Sequence, residues 1–201
     1  EKIINIVESV LIDFNNDIVD SLKKFGTDAV SIHTRKNNII KVTPEAKELG
    51  FVGIPNKIDN NLIEKILNKK QVPIISPLGL GNDNHPYNIN GDTAAGAIAK
   101  SLKSRRLLLM TNVEGVLDKD KKLINEISSS EVLKMLEDNT ITEGMIPKIN
   151  TCLDAVENGV TAVGIIDGRK QHSLLFEIFS DKGSGTLIRK WKILKKWNIF
   201  F

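Results

Sequence analysis

Several features that mark particular protein classes are scarce or missing in this 201-residue sequence. It has a single cysteine, Cys152, so no disulfide can form within the chain, which is typical of a reducing compartment. No stretch approaches the roughly 20 apolar residues of a membrane span, and the first residues do not resemble a signal peptide. We therefore predict a cytoplasmic protein, or a stromal one if the gene is plastid-encoded, that does not enter a membrane.

Common catalytic and metal-binding motifs are also missing. The three histidines, His33, His85 and His172, are scattered without metal-ligand spacing, so we predict no metal site. The sequence contains no Gly-x-Ser-x-Gly element, no Cys/His pairing, no Walker-type phosphate loop and no G-x-G-x-x-G turn. We therefore do not predict an enzyme of the classes that depend on these motifs.

Positive charge is concentrated at the C-terminus. The last 13 residues, from Arg189, carry five Lys or Arg and no acid, and without those five charges the formal net charge changes from +3 to −2. The body of the chain is therefore not a polyanion binder by composition, and we predict no nucleic-acid partner. The tail has two interpretations, a basic amphipathic helix for a membrane surface or a partner, and a partly ordered terminus.

Apolar runs alternate with segments of helical period. Buried strands are predicted by short apolar runs bounded by turn residues, at 28–34, 72–79, 106–113 and 161–168. Helices are predicted between them, at 59–70, 91–102, 130–137, 145–157 and 171–179. Residues 38–56 indicate a small hairpin with Pro44 and Pro55 at its ends. This alternation predicts an α/β fold with a mostly parallel sheet, in which ligands bind beyond the carboxyl ends of the strands.

A polar cluster, Asn88, Asn90 and Asp92, precedes a helix that begins with small residues. Asn90 is suited to cap this helix and Asp92 to lie in its first turn, where the helix dipole favours a carboxylate, which is a sufficient structural explanation. The functional alternative is that the helix end faces a ligand. Asn88 and Asn90 would then donate to an anionic substrate, and Asp92 would hold lysines in place.

Two further clusters follow later strands. Gly115, within 111–118, predicts a tight turn whose backbone can meet a nucleotide, although a plain turn explains it as well. Within 140–148, Gly144 and Pro147 begin a helix, and Lys148 in its first turn opposes the helix dipole. A bound anion at that helix end would compensate this placement, and the alternative is a solvated surface lysine. The three clusters together favour phosphoryl transfer, which depends on positioning and charge neutralisation.

Four ordered motifs closely resemble the N-acetylglutamate kinases of the amino acid kinase superfamily: YNINGDTAAGAIAKSL, LLLMTNVEGVL, ITEGMIPKI and HSLLFEIFSDKGSGTLI. The similarity runs from the first residues to Arg189. It implies a three-layer αβα sandwich that phosphorylates the γ-carboxylate of N-acetyl-L-glutamate with ATP and Mg²⁺, in arginine biosynthesis.

The resemblance also implies roles for residues of this chain. Lys148 and Asp92 match catalytic positions, and Asn88 and Asn90 match or adjoin the substrate-binding position. The positions implied for nucleotide binding are Thr111, Asn112, Val113, Gly115, Val116, Leu117, Thr140, Ile141, Thr142, Gly144 and Met145. Those implied for arginine as an inhibitory effector are His172, Glu177, Gly183 and Gly185. The structural alternative for this last set is a solvated helix residue followed by glycines that cap the helix and turn the chain.

The sequence departs from the family pattern in several places. It has no match to a Lys-x-Gly-Gly loop that carries a second catalytic lysine, to a His-Gly-Gly-Gly loop or to a substrate-binding arginine, and Asn112 replaces a usual aspartate. We therefore expect an N-terminally truncated relative that is inactive or impaired as given. The expected divisions, within one continuous sheet, are an acetylglutamate-binding and dimerisation lobe at 1–90, an ATP-binding lobe at 91–190 and a basic tail at 191–201.

The implied partners are acetylglutamate, ATP, arginine, further copies of the chain in a homodimer or a hexamer of dimers, and a PII-type signalling protein. Two alternatives to this kinase stay open. One is a sister amino acid kinase that acts on glutamate, carbamate or aspartate, and the other is a non-catalytic remnant that binds arginine or a partner.

Overall fold

Helices and strands alternate along the chain, as the apolar pattern predicts. The computed structural model describes residues 2–141, 143–180 and 183–190. Within these ranges the helices are α1 Lys2–Lys24, α2 Asn60–Asn68, α3 Gly91–Ser101, α4 Ser129–Glu137, α5 Ile146–Glu157 and α6 Ser173–Phe179. The strands are β1 Ala29–Ile32, β2 Ile40–Pro44, β3 Gly53–Ile58, β4 Val72–Ile75, β5 Leu78–Leu80, β6 Pro86–Asn88, β7 Arg106–Thr111, β8 Glu126–Ser128, β9 Ala162–Asp167 and β10 Thr186–Arg189. The α/β class, the predicted helices and the predicted strands at 28–34, 106–113 and 161–168 are confirmed. The predicted strand at 72–79 is instead divided into β4 and β5, which belong to different sheets.

The chain forms two compact units that meet in sequence between Leu102 and Lys103. Helix α3 therefore belongs to the first unit, although the ATP-binding lobe is predicted to begin at residue 91. The described strands form three sheets instead of one continuous sheet, two in the first unit and one in the second. Parallel and antiparallel pairs are mixed in the two larger sheets.

The first unit contains a parallel pair, β1 and β4, and a mixed sheet in the order β3-β2-β5-β6. Its core contains buried side chains from strands, from helix α2 and from loops, among them Ile32, Ile40, Ile63 and Ile89. Helix α1 packs against β1, β4 and β6. The buried stripe of α1 includes Asn15, whose Nδ2 donates to the Ile74 carbonyl at 2.8 Å and whose Oδ1 accepts from Ser31 at 2.6 Å.

The predicted hairpin at 38–56 is present as the antiparallel pair β2 and β3, but Pro55 does not mark its end. Pro55 lies inside β3, opposite Val42, where the register shifts between Lys41 and Val42. Strand β3 is at the edge of its sheet. Proline is tolerated at an edge or a bulge because the missing N–H removes no ladder hydrogen bond there.

The second unit is built on one sheet in the order β7-β9-β10-β8. All six residues of β9 are buried, which explains its nearly continuous apolar sequence. Strands β7 and β9 are parallel, with Thr111 beside Asp167, so their carboxyl ends lie at the same edge of the sheet. No helix of the described ranges has the length and apolar character needed to cross a bilayer.

Candidate functional site

Two segments of the second unit that are distant in sequence line one small cavity. Its volume is about 140 Å³, and its lining residues are Val113, Gly115, Val116, Leu117, Thr140, Ile141 and Met145. All seven are among the residues predicted to bind nucleotide. The cavity is smaller than the roughly 300–1,000 Å³ of sites that enclose a drug-sized ligand, so it suits one apolar part of a ligand, such as a base.

The first wall of the cavity is the loop after β7. Gly115 has φ 145°, and a Cβ at this position would lie 2.5 Å from Thr186 Oγ1 and 2.8 Å from Leu123 Cδ1, so only glycine allows the backbone this close. The Ile124 N–H donates to the Val116 carbonyl at 2.9 Å, and Leu117 and Leu123 form an antiparallel bridge. The wall is therefore a short, closed excursion of the backbone.

The second wall follows α4. The N–H groups of Thr140 and Ile141 donate to the Met135 carbonyl at 3.0 and 3.2 Å, so the chain turns back directly after the helix. Asp138 accepts hydrogen bonds from the Thr140 hydroxyl and from Lys119, and these lower its pKa from 3.8 to about 2. The Lys119 Nζ lies 2.9 Å from Asp138 Oδ2. Because Lys119 follows the first wall and Asp138 precedes the second, this ion pair joins the two.

The other predicted nucleotide positions lie outside this lining or outside the described residues. Thr111 ends β7 and its carbonyl accepts from the Gly168 N–H at 2.8 Å. Asn112 and Gly144 are exposed. Thr142 lies outside the residues that the structure describes, as do the residues of the basic tail from 191 onwards.

Lys148 lies in the first turn of α5, directly after the second wall. It is half-buried, and Pro147 occupies the start of the helix as predicted. Met145, at the N-cap position, makes no side-chain capping bond. An uncapped helix N-terminus is an attractive place for an anion, because its N–H groups and dipole present positive charge.

A group of charged residues at the carboxyl end of β9 was not predicted. Asp167 is buried, and its carboxylate accepts from Arg169 Nε and Nη2 at 2.9 Å each, which lowers its pKa from 3.8 to about 2. Lys170 Nζ pairs with Glu114 Oε1 at 3.0 Å, which ties this edge to the first cavity wall. The rule that ligands bind beyond the carboxyl ends of parallel strands would have pointed to this group.

The predicted substrate residues belong to the first unit. Asn88 ends β6 and lines a cleft of about 310 Å³ together with residues of α1 and of the segment 49–52. Asn90 Oδ1 accepts from the N–H groups of Asp92 and Thr93 at 3.0 and 3.2 Å, so its predicted role as N-cap of α3 is confirmed. Asp92 is half-buried in the first turn of that helix.

The predicted effector residues lie around α6, but not all on one side of it. Glu177 is buried, and its Oε2 accepts from the Ser184 N–H at 2.9 Å. Gly183 packs against the same carboxylate, since a Cβ there would lie 2.6 Å from Oε2. His172 is on the exposed face, where it lines a groove of about 570 Å³ with Leu175, Phe176, Phe179 and Ser180.

An arginine of the chain itself lies beside Glu177. Arg106 Nη1 donates to the Glu177 carbonyl at 3.2 Å and lies 3.9 Å from Oε1. Gly185 allows the chain to approach β9 closely, because a Cβ there would collide with the Ile165 carbonyl of β9. The structure thus brings Glu177, Gly183 and Gly185 together, and His172 faces a different surface.

Comparisons with known proteins agree with this architecture. The model of the amino acid kinase family matches residues 4–167. An acetylglutamate kinase from Pelagibacter ubique (strain HTCC1062) is 55% identical over 187 residues, which cover 93% of this chain and 65% of that protein. The chain therefore spans less than two thirds of this relative.

Solved structures give the same fold. An N-acetylglutamate synthase from Neisseria gonorrhoeae, complexed with coenzyme A and L-arginine, matches with a TM-score of 0.74 and 25% identity over 82% of this chain and 38% of its own. A carbamate kinase from Giardia lamblia bound to AMP-PNP matches with a TM-score of 0.66 and 17% identity over 92% of this chain and 70% of its own. At that identity the second match speaks for the fold alone.

Proposed function

The chain belongs to the amino acid kinase family, and we propose that the protein phosphorylates the γ-carboxylate of N-acetyl-L-glutamate with ATP. The observation that carries the proposal is the apolar cavity, since two separate segments predicted to bind nucleotide line it together. The high identity to an acetylglutamate kinase supports acetylglutamate as the acceptor.

The cavity suits the base of the nucleotide, and Lys148 suits its phosphates. Lys148 and the N-terminus of α5 come directly after the cavity-lining Met145, so positive charge adjoins the apolar lining. Mg²⁺ enters with ATP as part of the substrate. In the reaction a carboxylate oxygen of acetylglutamate bonds to the γ-phosphorus while the bond to the ADP oxygen breaks, which leaves an acyl phosphate and ADP. Both reactants are anions, so catalysis depends on positioning and on neutralising this charge.

The first unit supplies the acceptor side in this proposal. Asn88 and Asn90 bind acetylglutamate, and Asp92 is a catalytic carboxylate. Asn90 uses its Oδ1 as a cap, which leaves its amide N–H groups for a ligand. A sister kinase that phosphorylates glutamate, carbamate or aspartate is the alternative of the same class, and a non-catalytic binding protein is the alternative of another class.

Acyl phosphate formation in the protein at its natural length separates these functions, because hydroxylamine traps the product as a hydroxamate. We expect ATP-dependent hydroxamate with acetylglutamate and much less with glutamate or aspartate, and little ATP-dependent hydroxyurea, the corresponding product, with carbamate. Lys148→Ala should lower the chemical step by about 100-fold or more, the usual size for an electrostatic catalytic group. Lys148→Arg should restore only part of it, because a planar fork does not replace a point charge.

The control is Lys134→Ala, which removes an exposed lysine of α4 in the same unit. Its turnover should equal that of the parent. Near-normal turnover of Lys148→Ala would remove Lys148 from the mechanism, and turnover with another acceptor alone would replace acetylglutamate.

Arginine is the proposed effector, and Glu177 is its proposed carboxylate partner. Support comes from the buried Glu177 carboxylate beside the 183–185 turn, and from the related synthase that was solved with L-arginine. A ligand guanidinium would have to share or displace the contact with Arg106, which pairs with the same carboxylate. Calorimetry should give heat for arginine with the parent and at least about tenfold weaker binding with Glu177→Ala. Equal affinity of the two proteins would reject this site.

Assembly through α1 is the proposed route to a homodimer. This helix exposes Ile3, Ile6, Val10 and Phe14, which share one face at helical spacing. Phe14→Glu should shift the sedimentation of the protein towards the monomer, and an unchanged profile would remove α1 from the interface. The hexamer, the PII-type partner and the cytoplasmic or stromal location stay predictions.

A further inference from the structure

One buried hydroxyl joins the strand β10 to the first wall of the apolar cavity. This hydroxyl belongs to Thr186, which is buried with only 1% of its surface exposed. Its Oγ1 accepts from the Val116 N–H at 2.8 Å and donates to the Ile124 carbonyl at 2.7 Å. A hydroxyl has one donor and two acceptor positions, so a single side chain satisfies groups on both sides of the 116–124 excursion.

Gly115 allows this contact because it has no side chain. The Cβ that any other residue would carry there would lie 2.5 Å from Thr186 Oγ1 and 3.1 Å from the Thr186 nitrogen. The cavity wall therefore rests directly on the backbone and hydroxyl of Thr186. The position of that hydroxyl sets how far the residues 115–117 reach into the cavity.

Thr186 is itself held by a buried framework. It pairs with Ile165 in the antiparallel ladder between β10 and β9. The preceding turn is fixed by the Ser184 N–H, which donates to the Glu177 carboxylate, and by Gly185, which fits against the Ile165 backbone. Thr186 is thus held in place by the sheet, and its hydroxyl holds the loop in turn.

We propose that Thr186 is a positioning residue for nucleotide binding, whose hydroxyl fixes the Gly115–Leu117 wall in the shape that accepts the base. This proposal rests on the proposed function, since it assumes that the cavity takes the nucleotide. Removal of the hydroxyl leaves the Val116 N–H and the Ile124 carbonyl without their partner in a buried position, where an unpaired group is costly. The wall then relaxes towards solvent and the cavity loses its shape.

The test compares Thr186→Val, which keeps the shape and removes the hydroxyl, with Thr186→Ser, which keeps the hydroxyl. MgATP binding to the 201-residue chain is measured by calorimetry, and exchange of the Val116 amide is followed without ligand. We expect Thr186→Val to weaken MgATP binding by roughly tenfold, which corresponds to ~1.4 kcal/mol. The Val116 amide should exchange faster in Thr186→Val, and Thr186→Ser should stay within about twofold of the parent in MgATP affinity.

A matched control separates positioning from general loss of stability. Ser129→Ala also removes a buried hydroxyl of the second unit, one that lies 3.2 Å from both Glu157 Oε1 and the Lys190 carbonyl. It should lower stability without changing MgATP affinity. Equal MgATP affinity of the parent and Thr186→Val would overturn the proposal and leave the proposed function intact. No MgATP binding by the parent would overturn the nucleotide cavity, and the role of Thr186 with it.

Discussion

The two units of this protein differ in how their predicted functional residues are used. In the first unit, Asn90 and Asp92 lie at the start of a helix, and the Asn90 oxygen is occupied by the capping bonds. In the second unit, residues from two distant segments line one cavity. A helix cap is explained by its own sequence neighbourhood, whereas convergence of distant segments is not. The second unit therefore carries the stronger structural support for a binding site.

The units also differ in what fixes the functional segments. Close backbone approach at Gly115 and Gly185 and buried polar contacts at Thr186 hold the second unit's loops. In the first unit, the segment with Asn88 is held by its strand, with the Asn88 N–H donating to the Phe51 carbonyl at 2.9 Å. Substitutions at the close approaches of the second unit should thus be the most damaging.

Gly185→Ala should produce the largest effect. The added methyl group would collide with the Ile165 carbonyl, so β10 cannot keep its pairing with β9. We expect a loss of about 3 kcal/mol or more in the free energy of unfolding of the second unit, measured by urea denaturation. Gly168→Ala is the control, since its methyl group would meet the flexible Met110 Cε at 3.4 Å. Equal stability of the two variants would contradict the dependence on close approach.

The second-largest effect is expected for Asp167→Asn, on the free energy of unfolding at acid pH. The pKa of Asp167 is lowered to about 2 in the folded state, first by the Arg169 side chain, and its ordinary value is 3.8. A depressed folded-state pKa stabilises the protein above the unfolded-state pKa, so this contribution is lost as the pH falls from about 4 to about 2. Asp167→Asn should therefore flatten the stability curve in that window.

Asp138→Asn provides the comparison for this pH effect. The pKa of Asp138 is also about 2, but its side chain is 43% exposed, against 3% for Asp167. Solvent screens an exposed pair, so Asp138→Asn should flatten the curve less. A larger change for Asp138→Asn than for Asp167→Asn would show that burial does not control this pH dependence.

Substitution of Asn90 should have the smallest effect. It tests whether this residue of the first unit only caps α3 or also binds a ligand. Asn90→Ala should cost about 1 kcal/mol of stability in the first unit because α3 loses its cap, and Asn90→Ser should restore most of it. If Asn90 also binds acetylglutamate, both variants raise the KM for acetylglutamate in the protein at its natural length. A normal KM in Asn90→Ser would confine Asn90 to capping.

The sequence predicted the strands around β7 and β9 because their apolar runs are short and bounded by turn residues. It also predicted the α3 cap and the start of α5, where local chemistry decides the structure. Helix α1 was not predicted as a helix, because its buried stripe includes Glu8 and Asn15, whose partners lie in distant segments. Pro55 was placed at a strand end because the bulge that accommodates it depends on the pairing of β2 and β3.

The contacts that shape the candidate site could not be predicted from the sequence for the same reason. The Thr186 bonds to Val116 and Ile124 join residues far apart in the chain, and the pairing of Arg106 with Glu177 does so too. Such pairs follow from sheet order and not from local pattern. The resemblance supplied the candidate residues, and the fold determines which of them meet.

Amide hydrogen exchange with and without MgATP tests the central claim most directly, because it reports which segments a nucleotide orders. The account predicts slower exchange in 113–117 and 140–145 when MgATP is bound, with no comparable change in the helix α2 of the first unit. Slower exchange elsewhere, with these two segments unchanged at saturating MgATP, would contradict the account.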